Sequence, residues 1–450
     1  PFLLLFFLFY LVVPILFARR QPEGRRGLID GCLLFGRPLV AFSLQAGLLA
    51  GLLPGASRMP LALCALGLGA LNAGRACALR RRPGYGVLRD AYAVLAVGFA
   101  TLAVPLALSA RATAAVFALE GAGLLWLGLR QGRVLPALAG TALQLLAGGA
   151  LAIGFMDHAG ADLRALFNPT AMGALLVALA GFASARSLRD HGQAGAAQAF
   201  YLWGLAWWLG NGVIEIERYL GRRDEPDAIL AFAALTGWLA AEAHRRRPSG
   251  ALAWTTLAAL ASAVPLAIWQ SDVHQQPFAG QGVWAWLVYA ALGIRSLMCL
   301  RDSEHRLAGA AQFVWWLVWP MVASLLMAWL PDWLEGMGQG WTAGLIALPW
   351  LVVVALALFR WGWLSTPLGE RFDGWSTPLL GVLFAALGLW WAGSLFLAGD
   401  AMPLPWIPVV NPLELAQLAV LVVADVLDAV AEVLAHLRRR IVAVVLLQQE

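Results

Sequence analysis

Five polar side chains lie inside or beside long apolar runs: Asp30, Arg37, Gln45, Glu120 and Gln144. Glu120 is the carboxylate placed deepest. It falls in the second half of 99–131, FATLAVPLALSARATAAVFALEGAGLLWLGLRQ, which reads as a helical hairpin turning at Ser109, Ala110 and Arg111. A charge at mid-bilayer costs about 2.5–3.5 kcal/mol on insertion scales, so such residues serve ion or substrate paths or interhelical hydrogen bonds. Both chemistries fit Glu120. One is a site for a proton, a cation or a substrate. The other is a packing hydrogen bond to Gln45, Gln144 or Asn72 in neighbouring segments. Ala114, Ala118, Gly121, Ala122 and Gly128 around it are small, which permits close helix approach and places this face inside a bundle. Arg37, between Gly36 and Pro38, meets a lipid phosphate, pairs with Asp30 or an acid on another helix, or snorkels to the interface.

Other chemistry is missing at the level of motif. There is no GxxxxGK[ST] phosphate loop, no HExxH, no GxSxG and no Cys/His metal spacing. Cys32, Cys64, Cys77 and Cys299 lie in or beside apolar segments and read as small buried hydrophobes. No catalytic residue, metal site or cofactor is expected. Asn168–Pro169 and Asn411–Pro412 read as helix caps followed by proline at the first helical position. Paired tryptophans such as Trp203 with Trp207, and Trp315 with Trp319, read as packing or interfacial aromatics, or as the lining of an acyl or sugar groove.

The elements that position these residues must be membrane helices. The 450 residues are 61% hydrophobic and 13% charged, with mean hydropathy +0.74. Soluble domains are about a quarter charged, so a chain this apolar needs lipid as its solvent. Apolar runs of about 18–24 residues match the bilayer core. They place helices near 2–18, 32–53, 59–79, 90–109, 112–130, 134–156, 169–188, 195–216, 227–244, 250–270, 281–300, 307–330, 341–360, 376–398 and 405–424. The expected architecture is all-α: a polytopic bundle of about fifteen spans, forming one transmembrane domain over 1–424. Residues 425–450 follow as an amphipathic cytoplasmic tail or a short final span.

Loop charges support this count. One set of alternate loops carries Arg19, Arg20, Arg25 and Arg26; Arg80, Arg81, Arg82 and Arg89; Arg130 and Arg133; Arg186 and Arg189; Arg245, Arg246 and Arg247; Arg301 and Arg306; Arg360 and Arg371; and Arg438, Arg439 and Arg440. The other set carries Arg58, Arg111, Arg164 and a charge-balanced group from Glu215 to Glu225. The positive-inside rule makes the first set cytoplasmic in a bacterial inner membrane and puts the first residue outside. The pI near 9.4 reflects these loops and does not imply nucleic acid. All the basic side chains are arginine.

Repetition is visible. Leu88–Arg89–Asp90, Leu188–Arg189–Asp190 and Leu300–Arg301–Asp302 each open an outward span, and the later two are followed by GAAQ at 195–198 and 309–312. AVPLA recurs at 103–107 and 263–267. A helical hairpin repeated in one orientation accounts for the pattern.

The segments LIDGCLLFGRPLVAFSLQ at 28–45, the hairpin at 99–131, Asn168–Pro169, and PLPWIPVVNPLELAQ at 403–417 resemble a bacterial family of predicted membrane proteins, domain-of-unknown-function family 2339. The resemblance runs along nearly the whole chain. It implies that Asp30, Gly36, Pro38, Gln45, Glu120 and Asn411 belong to the family's motif. Family members are about twice as long, so a C-terminal portion is expected, in keeping with a chain that starts at Pro1. The resemblance brings no activity.

Three functions follow as expectations. The first is binding or transport of an envelope-related small molecule or lipid, with Glu120, Arg37, Gln45, Gln144 and Asp30 as candidate substrate or proton groups. The second is a non-catalytic scaffold or assembly factor with a membrane-protein partner. The third, an intramembrane lipid-linked transferase, fits least, because a single deep carboxylate does not make a converging acid/base cleft.

Overall fold

The computed structural model describes residues 40, 42–47, 59–80, 86–107, 110–156, 165–166, 168–301, 306–334, 336–405 and 407–426. All regular structure among these residues is helical. The helices are α1 Met59–Leu79, α2 Gly86–Ala107, α3 Ala110–Gln131, α4 Val134–Met156, α5 Pro169–Asp190, α6 Ala194–Tyr219, α7 Glu225–Arg246, α8 Gly250–Ala261, α9 Ala263–His274, α10 Gly282–Leu300, α11 Leu307–Trp333, α12 Gln339–Phe359, the short α13 Trp361–Leu364, and α14 Ser376–Ser394. A further helix runs over 412–426.

Among the described residues, nine segments are long and apolar enough to cross a membrane, taking α8 and α9 together as one. The expected count of about fifteen is higher for two physical reasons. The segments expected at 2–18 and over most of 32–53 lie outside the described residues. In addition, α6 is diluted by Gln198, Asn211, glycines and tryptophans before its charged end, α7 carries Glu225, Asp227 and Glu242 besides terminal arginines, the apolar part of α2 is the shorter stretch Ala91–Val104, and the segment expected at 405–424 is helical only over 412–426.

The chain divides into two compact units, Pro1–Asn211 and Gly212–Glu450. In the first, α1 and α2 pair around Leu79, Tyr92, Leu95 and Phe99, and Phe42 packs edge-on against Phe99 at 5.8 Å. Helices α3 and α4 approach to backbone contact. A Cβ added at Gly128 would lie 2.5 Å from the Ala137 nitrogen, and one at Gly140 2.5 Å from the Gly121 oxygen. Glycine is what lets dispersion contacts form along this seam where no hydrophobic effect operates between helices in lipid. Ala114, Phe117 and Ala118 of α3 then meet Leu143, Ala147 and Leu151 of α4 and Ala174 and Val177 of α5.

The second unit packs around Leu230, Leu260, Leu297, Val318, Val354, Leu379 and Leu383. An aromatic nest fills its middle. Tyr289 stacks on Trp315 at 5.4 Å, Trp319 closes on both, and Trp286 packs against Tyr289 and Trp319. Trp315 is buried, so this tryptophan packs the core. The expected span at 250–270 is one apolar segment, Gly250–His274, whose helix is interrupted at Ser262. Pro265 has no N–H to give the carbonyl four residues back, and its ring crowds that carbonyl, so α8 ends at Ala261 and α9 begins at Ala263. Tyr289 Oη donates to the Leu260 carbonyl at 3.0 Å, beside the break.

The two GAAQ segments have different environments. Gln198 is exposed. Gln312 is fully buried, donates to the carbonyls of Leu364 and Ser365 at 2.9 and 2.8 Å, and accepts from the Leu368 N–H, locking the turn after α13.

Candidate functional site

Three helix ends in the second unit converge on a polar centre. Asp227 is the third residue of α7, Gln270 lies one turn before the end of α9, and Trp286 is the fifth residue of α10. All three are buried, Asp227 to 2% exposure. Gln270 Nε2 donates to Asp227 Oδ1 at 2.6 Å, and Trp286 Nε1 donates to Gln270 Oε1 at 3.0 Å. The chain Trp286–Gln270–Asp227 therefore fixes the Gln270 amide at both ends and sets the plane of the carboxylate. The second carboxylate oxygen, Oδ2, faces His274 Nε2 at 3.8 Å. That is beyond hydrogen-bond length. Neither Asp227 Oδ2 nor His274 Nε2 has a hydrogen-bond partner among the described residues, and the same holds for Gln276 Oε1 in the turn that follows.

Local sequence explains the arrangement. Pro226 is the second residue of α7, where no N–H is missed, and Asp227 sits in the same first turn, where the helix dipole favours a carboxylate. Gln275 takes a left-handed conformation, φ 71°, and ends α9 just after His274. The chain then folds back over the centre. Gly280 has φ 58°, and a Cβ there would begin 3.3 Å from the His274 ring and 3.7 Å from Asp227 Oδ2. A larger residue at 280 would be strained and would also meet the pair.

The opposite end of α7 is held differently. Glu242 pairs with Arg245 at 2.5 Å, Arg246 at 3.6 Å and Arg295 of α10 at 3.3 Å, and Cys299 Sγ donates to it at 3.0 Å. Helices α7 and α10 are thus tied at both ends, by the buried centre at one and by an exposed charge network at the other.

The residues singled out in the sequence lie elsewhere. Glu120 is on the exposed face of α3 with Leu119, Gly123, Trp126 and Leu127. The small residues near it do pack, as Ala114, Ala118, Gly121 and Gly128 are buried, but Glu120 points away from that seam. Gln144 is 1% exposed and donates to Ser184 Oγ of α5 at 2.5 Å, and Asn72 donates to its own helix at Leu68. Neither bonds Glu120. Gln45 is half-buried in the short helix at 42–47. Asp30 and Arg37 lie outside the described residues.

A family model described as "Predicted membrane protein (DUF2339)" matches residues 1–446. The chain belongs to this family. No curated protein and no solved structure matches it. In this DUF2339 chain the two Asn–Pro pairs prove to be caps. Asn168 Oδ1 accepts from the Ala171 N–H at 2.7 Å, and Asn411 Oδ1 from the Glu414 N–H at 2.9 Å. The Glu414 carboxylate in turn accepts from the Val409 N–H, two residues before the cap, and holds the chain entering the helix.

The centre at Asp227 escapes sequence reasoning because an acid in the first turn of a helix reads as a dipole partner, and His274 reads as a loop residue. The available signal was Gln270, an amide one turn inside an apolar helix, together with Trp286 one turn inside the next.

Proposed function

We propose that this membrane protein binds or transports a small molecule or lipid of the cell envelope, and that the centre around Asp227 is the polar station on its path. One observation carries the reading: a carboxylate 2% exposed in an apolar helical unit, with one oxygen positioned by Gln270 and the other presented to His274 without a bond. A well-packed apolar set of similar volume would be as stable or more so, which supports a binding role for the acid, the amide and the imidazole. Three converging helix ends put the centre within about 6 Å of one end of those helices, at 1.5 Å per residue, within reach of a headgroup or an aqueous solute. About fifteen spans in repeated hairpins, with Arg-rich loops on the cytoplasmic side of a bacterial inner membrane, form the frame of this reading.

The test is ligand-induced stabilisation of the purified chain in nanodiscs, with phosphatidylglycerol, an isoprenyl phosphate and glycerol phosphate as probes. A probe at one hundred times its Kd adds about 2.7 kcal/mol to the native state. The reading expects one probe to raise Tm in wild type and in Glu120→Gln but not in Asp227→Asn. It fails if no probe stabilises wild type, or if Asp227→Asn responds equally.

A second reading, a scaffold or assembly factor, is favoured by the exposure of Glu120 on an apolar span. A carboxylate facing lipid is expensive, and a partner helix with a hydrogen-bond donor would relieve it. Nothing lies within 4 Å of a Cβ at Gly123. Gly123→Cys in native membranes should therefore cross-link to one stoichiometric partner; an uncross-linked chain refutes this reading.

A further inference from the structure

The geometry points to Asp227 and His274 as a proton-exchange site, in which one proton passes between Asp227 Oδ2 and His274 Nε2. The inference rests on the reading that this centre is functional, and names the ion it handles. The step balances: the carboxyl O–H bond breaks, an Nε2–H bond forms, and a neutral acid with a neutral imidazole becomes a carboxylate with an imidazolium. Release of that proton to water leaves the pair with one negative charge, and uptake reverses it.

Four features carry this. Both side chains are enclosed, at 3% and 9% exposure, so few competing donors reach them. Oδ1 is committed to Gln270, leaving Oδ2 as the one carboxylate atom available. The 3.8 Å separation is closed to a hydrogen bond by a shift of under about 1 Å, a looseness expected of an acid–base pair at rest. The ligand set also discriminates. Hard metal cations collect six or more oxygens, whereas this pair offers one carboxylate oxygen and one imidazole nitrogen, the two ends a proton needs. Asp/His chains are a recognised means of carrying protons within membranes.

The surroundings are sparse in charge. His274 faces Asp227 from α9, and Asp224 faces it from the cap of its own helix. The remaining polar neighbours are neutral: Gln270 from α9 and the Gln281 backbone N–H at the start of α10. Asp272 of α9 is exposed. A proton on the pair is therefore governed by the two partners and by Asp224.

The test is infrared difference spectroscopy of the full chain in nanodiscs across a pH titration. Wild type should show the C=O stretch of a protonated carboxyl that titrates, and Asp227→Asn should lose it. His274→Gln should move the titration midpoint by at least tenfold in proton concentration, while Tyr289→Phe, a packing change nearby, leaves it in place. If Asp227→Asn does not fold, the band and its response to His274→Gln decide alone. No titrating band in wild type, or a midpoint indifferent to His274→Gln, overturns the inference. A titrating pair in a protein that binds no probe would sink the transport reading and leave the proton site. Probe binding that depends on Asp227 without a titrating band would do the reverse.

Discussion

Gln270→Leu removes the hinge of the polar centre while keeping the volume of the side chain. The amide gives one hydrogen bond to Asp227 Oδ1 at 2.6 Å and takes one from Trp286 Nε1 at 3.0 Å. Leucine makes neither, so a buried acceptor and a buried donor both lose their partner. Each such orphan costs about 1–3 kcal/mol, the larger figure applying to a charged group. Hydrogen bonds between membrane helices average about 0.6 kcal/mol and reach about 1.7, because the unfolded chain in lipid also finds partners. Two orphans, one a carboxyl, place the expected loss at about 2–4 kcal/mol. Steric-trapping unfolding in bicelles measures it directly. The companion variant Asp227→Leu with Gln270→Leu leaves only the Trp286 N–H unpaired and should recover at least about 1 kcal/mol relative to the sum of the singles. A loss under about 0.6 kcal/mol for Gln270→Leu, or strict additivity of the pair, would refute the claim that these side chains act as one network.

Further outcomes follow from individual contacts. Gly128→Val puts two methyls where a Cβ already falls 2.5 Å from the Ala137 backbone; overpacking of this kind costs about 1–3 kcal/mol, and Tm should fall while Gly123→Val on the open face leaves it unchanged. Tyr289→Phe takes the donor from the Leu260 carbonyl beside the α8–α9 break; a loss of about 1–2 kcal/mol is expected in the same unfolding assay. Asn411→Ala deletes the cap of the helix at 412–426, worth about 1 kcal/mol, and hydrogen exchange at Leu413 and Glu414 should speed up before any change elsewhere.

Much of the fold was legible because lipid simplifies the code. A span must be apolar over its length, so hydropathy finds α1, α3 to α5, α10 to α12 and α14 with bounds within a few residues of those observed, and Asn–Pro pairs find two helix starts. What hydropathy cannot weigh is tertiary contact. Pro265 in AVPLA breaks a helix, whereas Pro105 in the same motif lies inside α2 without interrupting it. Gln312 and Gln198 share a motif, but only Gln312 meets a turn whose carbonyls need a donor.

The same limit explains why Glu120 drew attention and Asp227 did not. A search for charge at mid-span ranks residues by depth along one helix, and Glu120 stands highest on that scale. Burial is set by rotation about the helix and by what packs there. One residue's rotation separates Glu120, exposed, from Gly121, which meets the α4 backbone. Asp227 is near a helix end, where depth predicts solvent, but Gln270, one turn before the end of α9, packs against it and donates to its carboxylate. An acid becomes enclosed there through convergence of three termini that are distant in sequence, 227, 270 and 286, each unremarkable alone. The enclosed acid and the exposed one therefore call for different experiments: Asp227 for ligand and proton, Glu120 for a neighbouring helix.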